Sequence, residues 1–145
     1  MPDFKEIKVF IIEDDFVFIE ILANLLDTIN DELKEKKLKI EYHTFYSAKE
    51  AGYELRMLPD IVLLDYFIMD DELNTATGTK LLLDIKEHDP KVEVVVVSGQ
   101  ESQEVKEELL KEGATAYISK DEDSLSTLKP LLMEIISKRF EKIQS

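Results

Sequence analysis

Short, unbroken apolar runs punctuate the chain: Val9-Phe10-Ile11-Ile12, Ile61-Val62-Leu63-Leu64 and Val94-Val95-Val96-Val97. They are rich in β-branched residues and stop abruptly at polar ones, which predicts strands one, three and four, buried on both faces. Residues 38–45, alternating imperfectly, and the short stretch 116–119 predict strands two and five. Between the runs, apolar positions return at helical spacing. Ile19, Leu22, Ala23, Leu26 and Ile29 predict helix one over 16–30, with Asp15 as its N-cap and a charged loop over 31–37. Ser47, with Glu50 three residues on, matches a capping box that opens helix two, which runs to Leu58 and is ended by Pro59. A polar loop over 66–77 carries Asp70, Asp71, Glu72 and Asn74. Gly78 then leads into helix three, with Leu81, Leu82, Leu83 and Ile85, which fades near His88-Asp89-Pro90. Helix four is expected over 102–111, with Gly113 suited to its C-terminal cap. Helix five is expected from 124 past Phe140, with Pro130 kinking it or marking its start.

Strand then helix, five times, predicts an α/β fold: a parallel sheet with helices on both faces. A length of 145 residues fits one domain with a core over about 7–140 and no output domain after helix five. No apolar run is long enough for a membrane span, and the N-terminus does not look like a signal peptide. The absence of cysteine excludes disulfides and thiolate metal sites, and fits a cytoplasmic location. Charge changes the picture more. Asp plus Glu number 32 against 18 Lys plus Arg, a net charge of −14, which argues against direct nucleic-acid binding and leaves room for a cation site and basic protein partners. Most of these acids read as solvated helix surface.

In a parallel α/β sheet the C-terminal strand ends share one edge, where such folds build their sites. Here strand one ends on Glu13 and Asp14, strand three on Asp65, strand four on Ser98 and strand five on Lys120. Three carboxylates suit magnesium, a hard cation that takes oxygen ligands. Asp65 can act as a nucleophile toward phosphorus, forming an aspartyl phosphate. Lys120 can pair with a phosphoryl oxygen, and the Ser98 hydroxyl can donate to another. Phosphoryl transfer needs mainly this positioning and charge neutralisation. The plainer readings are that Glu13 and Asp14 serve the start of helix one, that Ser98 is a turn residue, and that Tyr117 is packing. His43 and His88 have no partner that suggests catalysis.

The motifs Ile-Ile-Glu-Asp-Asp at 11–15, Pro-Asp-Ile-Val-Leu-Leu-Asp at 59–65, Val-Val-Val-Ser-Gly at 95–99 and Gly-Ala-Thr-Ala-Tyr-Ile-Ser-Lys at 113–120 resemble the receiver domain of two-component response regulators. The resemblance covers nearly the whole chain, 9–136. It implies a flavodoxin-like sheet of order 2-1-3-4-5 and phosphorylation of Asp65 by a histidine kinase or histidine phosphotransfer protein. It implies a magnesium site that includes Asp65, in which Asp14 binds directly, Glu13 through water and Phe67 through its backbone carbonyl. It also implies that Ser98 and Tyr117 couple the phosphate to the surface of helix four, strand five and helix five, where a downstream protein or a second copy would dock. Such a module is not an enzyme beyond its self-phosphorylation and slow autodephosphorylation.

The chain departs from the family pattern in three places. Asp121 replaces the proline that usually follows the strand-five lysine, so a trans Lys120–Asp121 bond is expected, since a non-proline cis bond costs roughly 2.5–4 kcal/mol. Met69 replaces a usual proline, and the late Gly78 makes 66–77 look like an insertion. Two other functions compete. One is a magnesium-dependent phosphohydrolase with an Asp nucleophile, but the Asp-x-Asp pattern of dehalogenase-like enzymes and a cap domain are both absent. The other is a receiver-like scaffold that takes no phosphate, whose usual sign is loss of an acceptor, acid or lysine, all retained here.

Overall fold

The computed structural model describes residues 3–70, 75–76, 78–99 and 102–140. Five strands form one sheet: β1 (Lys5–Ile12), β2 (Leu38–Phe45), β3 (Ile61–Asp65), β4 (Glu93–Ser98) and β5 (Ala116–Ser119). All their pairings are parallel and the order is β2-β1-β3-β4-β5, as the sequence resemblance implies. Alternation along the strands feeds two separate cores. Ile7, Val9, Ile11, Leu63, Val95 and Val97 pack on one face against the helices α1 (Phe16–Leu33) and α6 (Leu128–Phe140). Phe10, Ile12, Val62, Leu64, Val94 and Val96 pack on the other against α2 (Ala48–Tyr53), α3 (Gly78–His88) and α4 (Gln103–Lys111). No described helix is long and apolar enough to cross a membrane.

Several boundaries differ from the sequence reading. Helix α1 runs to Leu33, not Asn30, because Leu33 continues the buried stripe of Leu22, Leu26 and Ile29; a 3-10 turn (Lys34–Lys36) and left-handed Lys37 then lead into β2. Ser47 caps α2 as expected, accepting from the Glu50 N–H at 3.2 Å. That helix stops at Tyr53, and a 3-10 turn (Leu55–Met57) with Leu58 at φ 55° carries the chain to Pro59. Helix five is two helices, α5 (Glu122–Leu125) and α6. The hydroxyls of Ser126 and Thr127 donate to the carbonyls of Asp123 and Ser124, both at 2.6 Å, and these local bonds close the first helix. Pro130 falls in the first turn of α6, where its missing N–H is harmless.

The loop after β3 also holds more order than expected, since 69–70 pair antiparallel with 75–76. Asp71, Glu72, Asn74 and Thr77 lie outside the described residues, as do the side chain of Asp70 and helix five beyond Phe140. Gly78 is required where this loop closes: a Cβ there would stand 2.2 Å from the Tyr66 carbonyl oxygen. Gly113 ends α4 at φ 114°, in the region that favours glycine.

Two polar devices finish the sheet. On the open edge, the Asn30 side chain accepts from the Ile40 N–H at 2.6 Å and donates to the Ile40 carbonyl at 3.0 Å. At the N-terminal ends of the strands, Arg139 donates to the Lys91 carbonyl at 2.5 Å and pairs with Asp60 at 3.4 Å. Asp60 in turn accepts from the Lys8 N–H at 2.8 Å.

Candidate acidic site at the C-terminal strand ends

The strand ends meet as topology requires. Past β1, the Glu13 N–H still donates to the Phe45 carbonyl, at 3.0 Å, so the chain leaves the sheet only after Glu13 is fixed. Glu13 is buried. Its Oε2 accepts from the N–H groups of Asp14 and Asp15, at 3.0 and 3.2 Å. Asp15 caps α1 as expected, accepting from Val17 and Phe18 at 3.0 and 3.4 Å. Asp14, between them, is exposed at the mouth of the site.

Asp65 is the last residue of β3 and is only 6 % exposed. Its Oδ1 accepts from the Phe67 N–H at 3.1 Å, and its carbonyl accepts from the Ile68 N–H at 3.2 Å. Burial of Ile68 anchors this turn in the core. Ser98 ends β4 fully buried, and its carbonyl accepts the Lys120 N–H at 2.8 Å. That bond carries the chain past β5 and sends the Lys120 side chain into the site. There Nζ donates to Glu13 Oε1 at 2.5 Å and lies 3.6 Å from Asp65 Oδ1. It also stands over the Phe18 ring, 4.4 Å from the centroid. The Lys120–Asp121 bond is trans, and Asp121 caps α5, accepting from the Ser124 N–H at 2.8 Å.

Glu13, Asp14 and Asp65 each offer an oxygen within 4.8 Å of the others. The pKa of Glu13 is raised, first by burial and then by the charge of Asp65, against the pull of Lys120. The pKa of Asp14 is raised by partial burial and by the charge of Glu13. Among the described residues, Lys120 is the cation that pairs with this cluster. Three crowded carboxylates facing one ammonium leave negative charge that an added cation would relieve. Their all-oxygen donor set fits a hard ion such as magnesium.

The structure therefore brings together Glu13, Asp14, Asp65 and Lys120, with Ser98 beside them at the end of β4. Phe67 meets Asp65 through its N–H. Tyr117 is half-buried in β5, packed against the core under α4, and faces a groove shared with Ser102, Lys106, Asp123 and Thr127. Phe18 was not singled out by sequence reasoning. It is one more apolar residue on a buried helix stripe, and nothing local marks it as a partner of Lys120.

A family model described as the response regulator receiver domain matches residues 9–132. Among solved structures, a CheY-like receiver domain protein from Methanospirillum hungatei JF-1 is 20 % identical, with a TM-score of 0.72, covering 94 % of this chain and 99 % of that one. The CheX-CheY-BeF3-Mg complex from Borrelia burgdorferi matches at 20 % identity and a TM-score of 0.67, over 92 % of this chain and 89 % of that one. A receiver domain of a DNA-binding response regulator from Colwellia psychrerythraea 34H is 24 % identical, with a TM-score of 0.66, over 88 % and 98 %. At these identities the likeness is one of fold. No protein of curated function matches the sequence.

Proposed function

The chain belongs to the response regulator receiver domain family, and from that premise we propose that it is a phosphoacceptor signalling module whose acceptor is Asp65. The observation that carries this reading is a nearly buried strand-end carboxylate with an ammonium 3.6 Å away and two further carboxylates beside it. The donor would be a phosphohistidine on a kinase or phosphotransfer protein. An Asp65 carboxylate oxygen forms a bond to phosphorus as the P–N bond breaks, and the bonding pair leaves on the imidazole nitrogen. With Oδ1 held by the Phe67 N–H, the carboxylate is pre-oriented for that attack. Lys120 would take a phosphoryl oxygen in exchange for Glu13.

Glu13, Asp14 and Asp65, with the Phe67 carbonyl, would hold magnesium, which supplies positive charge against the repulsion between carboxylate and phosphoryl oxygens. Ser98 and Tyr117 would pass the modified state to the groove between α4 and α5. The relative from Borrelia burgdorferi, a complex with BeF3 and magnesium, supports the same chemistry here by analogy. In this reading the chain turns over no substrate beyond its own phosphorylation and slow dephosphorylation. It acts in the cytoplasm, through protein partners rather than nucleic acid.

Incubation with acetyl phosphate and magnesium, followed by intact mass, tests the reading. One base-labile phosphoryl adduct is expected, absent in Asp65→Asn and not formed when the metal is chelated before the phosphodonor is added. A chain that stays unmodified under these conditions would overturn it.

A further inference from the structure

We propose that Phe18 is a positioning residue for Lys120: its ring face holds the ammonium in the acidic site while leaving it free to change carboxylate partners. The consequence for phosphorylation rests on the phosphoacceptor reading above; the contact itself does not. Phe18 is 5 % exposed and sits in the first turn of α1, its N–H held by Asp15. The same short segment thus supplies the Lys120 counterion, Glu13, and the surface beneath Lys120. With its side chain only 19 % exposed, Lys120 has lost most of its hydration, and the ring 4.4 Å below replaces water on one side.

An aliphatic residue would fill the same space without attracting the charge. A ring quadrupole attracts a cation anywhere within roughly 6 Å of its centroid, more strongly where water is excluded. That attraction matters because the Glu13 bond is a potential trap. It joins an ammonium to a buried carboxylate, a charge-assisted hydrogen bond, and Lys120 must give it up to serve a phosphoryl group on Asp65. A move of about 1 Å would bring Nζ from 3.6 Å to ordinary hydrogen-bond distance of Asp65. Even taken wholly away from the ring, that move leaves Nζ within roughly 6 Å of the centroid. The ring therefore still attracts the ammonium while it is between carboxylates, where that pull counts most, and the exchange does not require a return to solvent.

The test replaces Phe18 by phenylalanines carrying one, two and three ring fluorines, which drain the face of negative charge at nearly constant shape, and by Leu. The rate of acetyl phosphate-dependent modification is expected to fall stepwise along the fluorine series. The total loss should be about three- to tenfold, as expected for a partly desolvated cation–π contact. The methylene protons next to Lys120 Nζ should show an upfield ring-current shift in NMR, lost in Phe18→Leu. A rate that is flat along the fluorine series, with natural-rate phosphorylation, would overturn the proposal, because packing alone would explain Phe18. Should the parent chain take no phosphoryl group, the phosphoacceptor reading is what has failed. The Lys120 signal then decides the contact: an upfield shift that Phe18→Leu abolishes supports it, and an unshifted signal in both proteins refutes it.

Discussion

Glu13 and Asp14 keep their protons to a higher pH in the folded chain than ordinary carboxylates do, for the reasons of burial and crowding given above. Between the ordinary carboxylate range and the raised values, the folded state binds more protons than the unfolded one. Stability from these two groups is therefore fully present below that range and is lost as pH rises through the raised values. Magnesium binds the deprotonated forms, so the rise in Tm it produces should be largest at neutral pH and should shrink in acetate buffer. Thermal melts with and without magnesium at the two pH values check this, and an equal shift at both would contradict it. The caps act in a different window. Hydrogen bonds to Ser124 hold Asp121 below the usual carboxylate range, so its contribution disappears only at more acid pH. At this scale Glu13, Asp14, Asp65, Ser98 and Lys120 were legible because each lies at or just past the end of a strand, and parallel topology gathers strand ends. Phe18 was not, because its partner lies 102 positions away and no periodicity connects them.

Single elements show why some boundaries could be read and others could not. The stripe of Leu22, Leu26 and Ile29 was plain, yet Leu33 extends it by one turn into a stretch whose charges suggested a loop. The division between α5 and α6 depends on two hydroxyl-to-carbonyl bonds that helical periodicity does not reveal. Pairing of 69–70 with 75–76 was hidden because two-residue strands carry no alternation. Asn30 lies within the helix one expected from sequence, but its contact to β2 is tertiary. By satisfying both backbone groups of Ile40 it acts on the edge strand as a neighbouring strand would. Asn30→Ala leaves those two groups partly buried without their partner and should cost about 1–3 kcal/mol, by the usual penalty for an unsatisfied group. Urea unfolding measures it. A change below a few tenths of a kcal/mol would show that water substitutes fully.

The charge balance belongs to the whole molecule. A net charge of −14 on 145 residues repels itself at neutral pH. Exposed pairs such as Lys34–Asp31 at 3.1 Å and Lys138–Glu134 at 2.8 Å offset little of this, because water and salt screen them. Repulsion therefore wins, and Tm should rise as potassium chloride is added in the absence of magnesium, since salt screens it within a Debye length of about 8–10 Å. A fall in Tm would mean that the surface pairs dominate. Parallel pairing was legible from strand–helix alternation and sheet order from the family resemblance, and the division into two cores follows from strand pleating. The clasp of Arg139 on Lys91 and Asp60 has a practical consequence. It fixes the last described turn of α6 at the N-terminal end of the sheet, while Asp65 ends the strand that starts beside Asp60. Five residues of strand put the two ends roughly 16 Å apart. A fluorescent reporter or an immobilising tag joined after residue 140 would start from the far end of the sheet and leave the acidic site clear, which makes that end the place to attach a handle for watching the site at work.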